Sequence, residues 1–266
     1  MHELRFNVGT DINETSRRSG APEFEVEQVN NTLIYSAPEI PSSVAIRYSR
    51  EQFEVSIPSA FSFAMYANAA RNSVVEKASI QLSRKAFSGA PPNSDAEHRL
   101  AQQFVESMVA QFHKGRWTRY APPGALFVLT GRSSYLDEAG NIEPTVLDAI
   151  DPAFRIPEKD WAVLVTRLPR WRWVGDGVLA TMSVQYLATS MGKVSPYQIK
   201  FEFDLLDAKL KQDADNMAEK LAEGDKKGWN STAKFEAEKK AIKARNERLR
   251  ENAVQRGDSW VPISAN

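Results

Sequence analysis

The sequence predicts an α+β fold: an antiparallel sheet covered by an amphipathic helix, with a helical hairpin at the C-terminal end. Three observations lead there. Apolar and polar residues alternate in short runs from Glu23 to Arg84, the period of strands with one wet face. The segment Ser94 to Gly115 instead places apolar residues at helical spacing. The last quarter becomes rich in Lys, Arg, Glu and Ala around a thin apolar stripe, as solvent-facing helices do.

Four stretches follow in order. Residues 1–22 read as a flexible N-terminal segment, because Asn7 to Pro22 is polar and carries Arg17, Arg18, Ser19 and Gly20. Residues 23–206 form the α+β domain, 207–256 the hairpin packed on it or projecting from it, and 257–266 a tail. In the first part of the domain Phe24 and Val26, then Phe53, Val55 and Ile57, then Phe61, Phe63 and Met65, and finally Ala78, Ile80 and Leu82 hold the apolar positions. Pro38, Pro41 and Pro58 fall between these runs and belong in turns. The region reads as a meander of short strands.

Ser94 with Glu97 makes a capping box, in which each side chain meets the other residue's free backbone donor. Leu100, Phe104, Met108 and Phe112, flanked by Ala101, Val105 and Val109, give the helix one broad apolar face, and Gly115 stops it. Ala125 to Leu129 reads as a short strand, and Gly131 to Asn141 as a polar loop. A second helix starts at Pro157 and buries Trp161, Leu164 and Val165. Asp176-Gly177 between Trp171–Val174 and Val178–Leu187 is a two-residue hairpin signal. Tyr197, Ile199, Phe201 and Phe203 mark the partner strand, joined through Ala188 to Pro196. Leu206, Leu210, Ala214, Met217 and Leu221 mark one terminal helix, ending near Gly224. Phe235, Ile242 and Leu249 mark the other.

Composition removes whole classes of function. The chain has 266 residues, with 34 basic and 34 acidic side chains, so it lacks the basic excess of a general nucleic-acid binder. Hydrophobic residues at 42% and aromatics at 10% suit a folded chain. No apolar run of about 18 residues occurs, so the sequence holds no transmembrane span. Zero cysteines exclude disulfides, thiolate metal ligands and thiol nucleophiles.

Catalytic signatures are equally sparse. His98 and His113 stand fifteen residues apart on one helix, about 22 Å along its axis, and do not share a metal within one chain. Gly131-Arg132-Ser133-Ser134 lacks the Gly-x-Ser-x-Gly pattern, and no histidine follows it. Neither Gly-x-Gly-x-x-Gly nor a phosphate loop occurs. Asp137, Glu138, Asp148, Asp151, Glu158 and Asp160 sit where turns and helix starts use acids. They keep a carboxylate-based enzyme open as the alternative, beside a structural or assembly role. The reading is a protein with no catalytic residue, no metal and no cofactor.

Basic-aromatic interleaving is the most unusual local feature. It occurs at Lys114 to Tyr120 and again at Arg167 to Trp173. In extended chain Trp171 and Trp173 point to one face and Arg170 and Arg172 to the other. A core role for the tryptophans competes with an exposed Arg/Trp surface, the composition of interface hot spots. The candidate partner-binding residues are therefore Arg170, Trp171, Arg172, Trp173 and Asp176, joined by Arg116, Arg119 and Arg132.

Several longer strings point the same way. They are Phe104-Val105-Glu106-Ser107-Met108-Val109-Ala110-Gln111-Phe112, Gly115-x-Trp117-x-Arg119-Tyr120, Thr130-Gly131-Arg132-Ser133-Ser134-Tyr135-Leu136-Asp137, Asp151-Pro152-x-x-Arg155 and Trp173-x-Gly175-Asp176-Gly177-Val178-Leu179-Ala180. Together, across Ser94 to Leu187, this pattern resembles periplasmic lipoprotein-type immunity proteins that protect against lipase effectors of type VI secretion. The resemblance implies a binding protein that blocks a cognate effector toxin, with no chemistry of its own. It also implies a periplasmic location through an N-terminal lipid anchor in the precursor. The sequence as it stands shows neither export signal nor lipidated cysteine, so a cytoplasmic location is the alternative.

Overall fold

A computed structural model describes residues 3–19, 23–41, 43–58, 60–71, 73–82, 90–91, 94–123, 125, 127–144, 149–187, 196–258 and 260–262. Gly20, Arg84, Asp148, the 188–195 connection and the tail from 263 onward lie outside the described residues. The fold is mixed α+β, with a large antiparallel sheet at its centre.

The N-terminal stretch is not a tether. Glu3–Phe6 forms β1 and Ile12–Arg18 forms α1, capped by Asp11, whose carboxylate accepts from the Glu14 amide at 2.9 Å. Leu4, Phe6, Val8 and Ile12 are all buried in the core. Apolar residues at 4, 6 and 8 already alternate, but three positions among polar neighbours are a short signal, and tertiary burial decides the outcome.

The strands that follow are β2 (Glu25–Val29), β3 (Thr32–Ala37), β4 (Ala45–Arg50), β5 (Phe53–Ile57), β6 (Ala60–Asn68) and β7 (Val75–Leu82). They do not make one meander. β4 and β5 leave the large sheet and pair with β1 in a small sheet of order β1-β4-β5, where β1 and β4 run parallel. Pro38 and Pro41 sit where the chain leaves the large sheet, and Pro58 where it returns. A residue without a backbone donor suits such a change of sheet better than a continuous ladder.

After β7 come α2 (Asp95–Lys114), β8 (Thr118–Arg119), β9 (Phe127–Leu129), α3 (Glu158–Leu164), β10 (Arg170–Gly175), β11 (Val178–Tyr186) and β12 (Tyr197–Leu205). The large sheet has the order β2-β3-β6-β7-β12-β11-β10-β8, so its two halves meet where β7 and β12 pair. Adjacent strands stand about 4.8 Å apart, so the sheet is roughly three times wider than one helix. The helix α2 therefore shares the apolar face with the small sheet instead of covering it alone. Its amide at Glu97 donates to the N-cap Ser94 Oγ at 3.2 Å.

The buried face of α2 is Ala101, Val105, Met108 and Phe112. Leu100 is exposed and Phe104 only half-buried, one step around the helix from the expected stripe. Phe112 stacks on Trp173 with ring centroids 3.9 Å apart and planes 1° from parallel. Tyr48 from the small sheet stacks on Phe203 of β12 at 4.8 Å. Phe6 lies edge-on to Tyr48, Phe63 and Phe203, and Trp117 meets Tyr48, Phe53 and Phe112. One aromatic cluster thus joins both sheets and the helix.

The stretch from Gly131, expected to be a polar loop, begins as a 3-10 turn, Gly131–Tyr135, with Ser133, Ser134 and Tyr135 buried. Two helices then close the fold, α4 (Leu206–Lys226) and α5 (Ser231–Gln255), before β13 (Trp260–Pro262) pairs with β9. Gly224 does not stop α4. It lies inside the helix, where a Cβ would collide with the Ser231 side chain, so its role is to let α5 approach. Helix α5 docks by its last turns. Leu249 and Ala253 are buried, Arg248 forks onto Glu138 at 2.8 and 3.0 Å, and Arg245 pairs with Glu143. Between Lys211 and Ala244 every residue is exposed except Leu221, Gly224, Ser231 and Phe235, where the helices touch. The base of the hairpin packs on the domain through Leu249 and Ala253, and its tip is exposed.

Because Phe112 is fully enclosed and Phe104 is not, truncation separates them. Phe112→Ala is expected to lower the unfolding free energy by about 3–5 kcal/mol and Phe104→Ala by clearly less, as read from urea denaturation. Equal losses would contradict the packing described.

Candidate functional site

Strand geometry settles the basic-aromatic segment. Trp171 and Trp173 are 2% and 0% exposed, on the core side of β10, so they belong to no surface. This corrects their place among the partner-binding candidates: the sheet has one apolar face, and the indoles fill it. Arg170 and Arg172 alternate onto the opposite, polar face. The Asp176-Gly177 turn has φ values of +47° and +69°, a type I′ hairpin in which glycine meets the second left-handed position without strain. Asp176 is ion-paired with Arg50 of the small sheet.

The other three arginines are dispersed. Arg116 donates to Gln52 Oε1 at 2.6 Å. Arg119 donates to the Leu129 and Ala149 carbonyls at 2.8 and 2.7 Å. Arg132 forks onto Asp160 at 2.8 and 3.1 Å, and Asp160 also accepts from the Tyr135 hydroxyl at 2.8 Å. Burial opposes charge on Asp160, but these donors outweigh it and hold the carboxyl below the usual aspartate range. The carboxylates that kept an enzyme open do similar local work. Asp151 accepts from the Gly131 and Ala153 amides, and Asp137 from those of Ala139 and Asn141. Among the described residues no three His, Asp or Glu side chains converge as metal ligands.

Arg170 and Arg172 are brought together with other polar groups in a cleft of about 480 Å³. Its floor is the polar face of β7, β12, β11 and β10, and its wall is the first turns of α4. The register lays the floor out in rows across the strands. Arg170 stands opposite Ser183, Ser183 opposite Lys200, and Lys200 opposite Gln81. The next row runs Arg172, Thr181, Glu202 and Ser79, and Asp204 pairs in register with Lys77. Burial works against charge on Glu202, yet Lys77 at 2.6 Å and Lys200 at 3.0 Å outweigh it and lower its pKa. Asp204 is pushed up by burial despite Lys77.

A second feature escaped sequence reasoning. The turn between α4 and α5 presents Trp229 with 58% of its surface exposed. The turn is well tied. The Trp229 amide donates to the Gly224 carbonyl at 3.0 Å, and the Thr232 amide to Asp225 at 3.1 Å. The Lys227 ammonium lies 5.0 Å from the indole centroid. The available signal was Gly228-Trp229-Asn230 between two highly charged helices, a turn with no apolar surface nearby to bury an indole.

His98 belongs to a packed network. Its Nδ1 is 2.5 Å from the Tyr197 hydroxyl, which accepts from the Trp161 indole N–H at 2.9 Å. The direction of the His98–Tyr197 bond follows the imidazole tautomer. No protein-family model, curated protein or solved structure matches this chain.

Burial holds the His98 pKa below the ordinary histidine value, against the pull of Glu97 and Asp95. The unfolded chain therefore binds more protons as pH falls through about 6.5, and the stability from this group is lost going downward. Thermal midpoints measured from pH 8 to pH 5 are expected to fall more steeply for the wild type than for His98→Gln. Parallel slopes would contradict it.

Proposed function

We propose that the protein is a non-catalytic, protein-binding inhibitor: an immunity protein that neutralises a secreted antibacterial effector of lipase type. The observation that carries the binding reading is Trp229 on the projecting hairpin. An exposed indole is costly in water, because a tryptophan buries on the order of 150–250 Å² when it finds a partner. Here the tied turn pre-orders it, so little further ordering opposes binding. Tryptophan is also among the residues that dominate interface energetics. The helix beneath it, 21 residues in α4, extends about 32 Å and carries the tip clear of the sheet.

The inhibitor class rests on the resemblance across Ser94 to Leu187, and so does the compartment. On this reading the protein acts in the periplasm, held by a lipid anchor on its precursor, where its effector attacks. Among the described residues no helix is long and apolar enough to cross a membrane. The Arg170 and Arg172 side of the sheet stays in the reading as a polar surface, without the two tryptophans.

The test is direct. A purified lipase-type effector is expected to lose activity at stoichiometric amounts of this protein. Trp229→Ala is expected to weaken the complex by at least about 2 kcal/mol in calorimetry and to change stability by no more than about 0.5 kcal/mol. Inhibition that is unaffected by Trp229→Ala would remove the tip from the interface, and no inhibition of any such effector would remove the function.

A further inference from the structure

Among the described residues, more cationic than anionic side chains line the polar cleft. Lys77 and Lys200 both hold Glu202, and Lys77 also faces Asp204 at 4.0 Å. Lys209 holds Asp213 at 2.6 and 2.8 Å. Three carboxylates thus face three lysines, and Arg170 of β10 adds a further positive charge. Arg170 has no side-chain hydrogen bond or ion pair among the described residues, although it is half-buried. A guanidinium partly removed from water without a counter-charge gains more than a solvated one when an anion arrives.

The register says where such an anion sits. Arg170, Ser183 and Lys200 are directly opposite one another on three adjacent strands, which separates the two cations by roughly 10 Å at backbone level. The Ser183 side chain lies on the same face between them, and the Lys200 ammonium reaches along its own strand to Glu202 at 3.0 Å. The flanking row, Gln185 opposite Gln198, is neutral. Asp204 lies four residues along β12 from Lys200, roughly 13 Å away, whereas Glu202 is two residues away and takes up the Lys200 ammonium. The rim adds Tyr120, Leu168 and Leu210, which offer apolar contact to whatever carries the charge.

We propose that this end of the cleft binds the oxyanion of a small organic ligand, a carboxylate or a phosphate, with Arg170 forking onto it and Ser183, directly opposite on β11, donating a hydrogen bond. The cleft volume is of the size that encloses small molecules, about 300–1,000 Å³. This site is separate from the hairpin tip and stands whether or not the tip captures an effector.

Phenyl phosphate, benzoate and the neutral benzamide serve as probes, titrated calorimetrically into the full chain at low ionic strength. At least one anion is expected to bind saturably with one-to-one stoichiometry, and benzamide is not. Phosphate-only or benzoate-only binding identifies the source of the oxyanion, and both together indicate a general oxyanion seat. Arg170→Gln is expected to weaken binding at least tenfold, Ser183→Ala several-fold, and Arg170→Lys to an intermediate degree because charge survives without the fork. Arg5→Gln, remote on β1, is expected to bind as the wild type does, and thermal midpoints of all variants verify folding. Failure of both anions to bind, equal binding of benzamide, or unchanged binding by folded Arg170→Gln and Ser183→Ala would each overturn the proposal.

Discussion

The face-to-face stack of Phe112 on Trp173 ties the helical layer to the sheet. Two parallel rings at van der Waals distance fix both the height of α2 above β10 and its rotation about its own axis. That rotation is why Val105 and Met108 turn inward while Leu100 turns out. Phe203, Tyr48, Trp117 and Phe6 close around the stack and bring in β12, the small sheet and the N-terminal strand. Among the described residues, the cluster leaves the Tyr48 hydroxyl and the Trp117 and Trp173 indole N–H groups buried without hydrogen-bond partners. Each such group costs about 1–3 kcal/mol, whereas burying a large aromatic side chain is worth roughly 4–6 kcal/mol at 25 cal/mol per Å². Packing wins, and the polar atoms are carried along.

The polar cleft follows from the same stack. With Trp171 and Trp173 turned inward, a period of two leaves Arg170 and Arg172 nowhere but the opposite face. Pairing along β10, β11, β12 and β7 then places Ser183, Lys200 and Gln81 in line with Arg170. A slip of one residue would exchange the two faces and put arginines in the core. The core therefore sets the register, and the register composes the cleft floor.

The hairpin is anchored at one end and free at the other. Exposed ion pairs such as Arg248 with Glu138 contribute little on their own, about 0–1 kcal/mol. Burial of Leu249 and Ala253 against the domain supplies the larger share. The thin stripe of α5 matches this arrangement: Leu249 docks, Phe235 meets α4, and Ile242 between them is 48% exposed. A helix with so few apolar positions has no means of lying flat along the sheet, so its outer half stands in solvent and carries Trp229 with it.

Local rules in the sequence determined the secondary structure wherever the signal was dense. Ser94 and Gly115 bracket α2 as its caps, Pro157 precedes α3, Asp176-Gly177 makes its hairpin, and Tyr197 to Phe203 pairs with the strand before it. Each of these depends on neighbours within about a turn or one strand length. Tertiary structure alone decided what depended on distant partners. It drew Leu4, Phe6 and Val8 into the core by pairing β1 with β4, and it moved β4 and β5 into a second sheet. It also sent the two tryptophans of β10 inward and left Trp229 out. Alternation in sequence tells which residues share a face, but not which face has a layer to bury it. That choice is made by the competition of all apolar surfaces for one core, and no short window of sequence contains it.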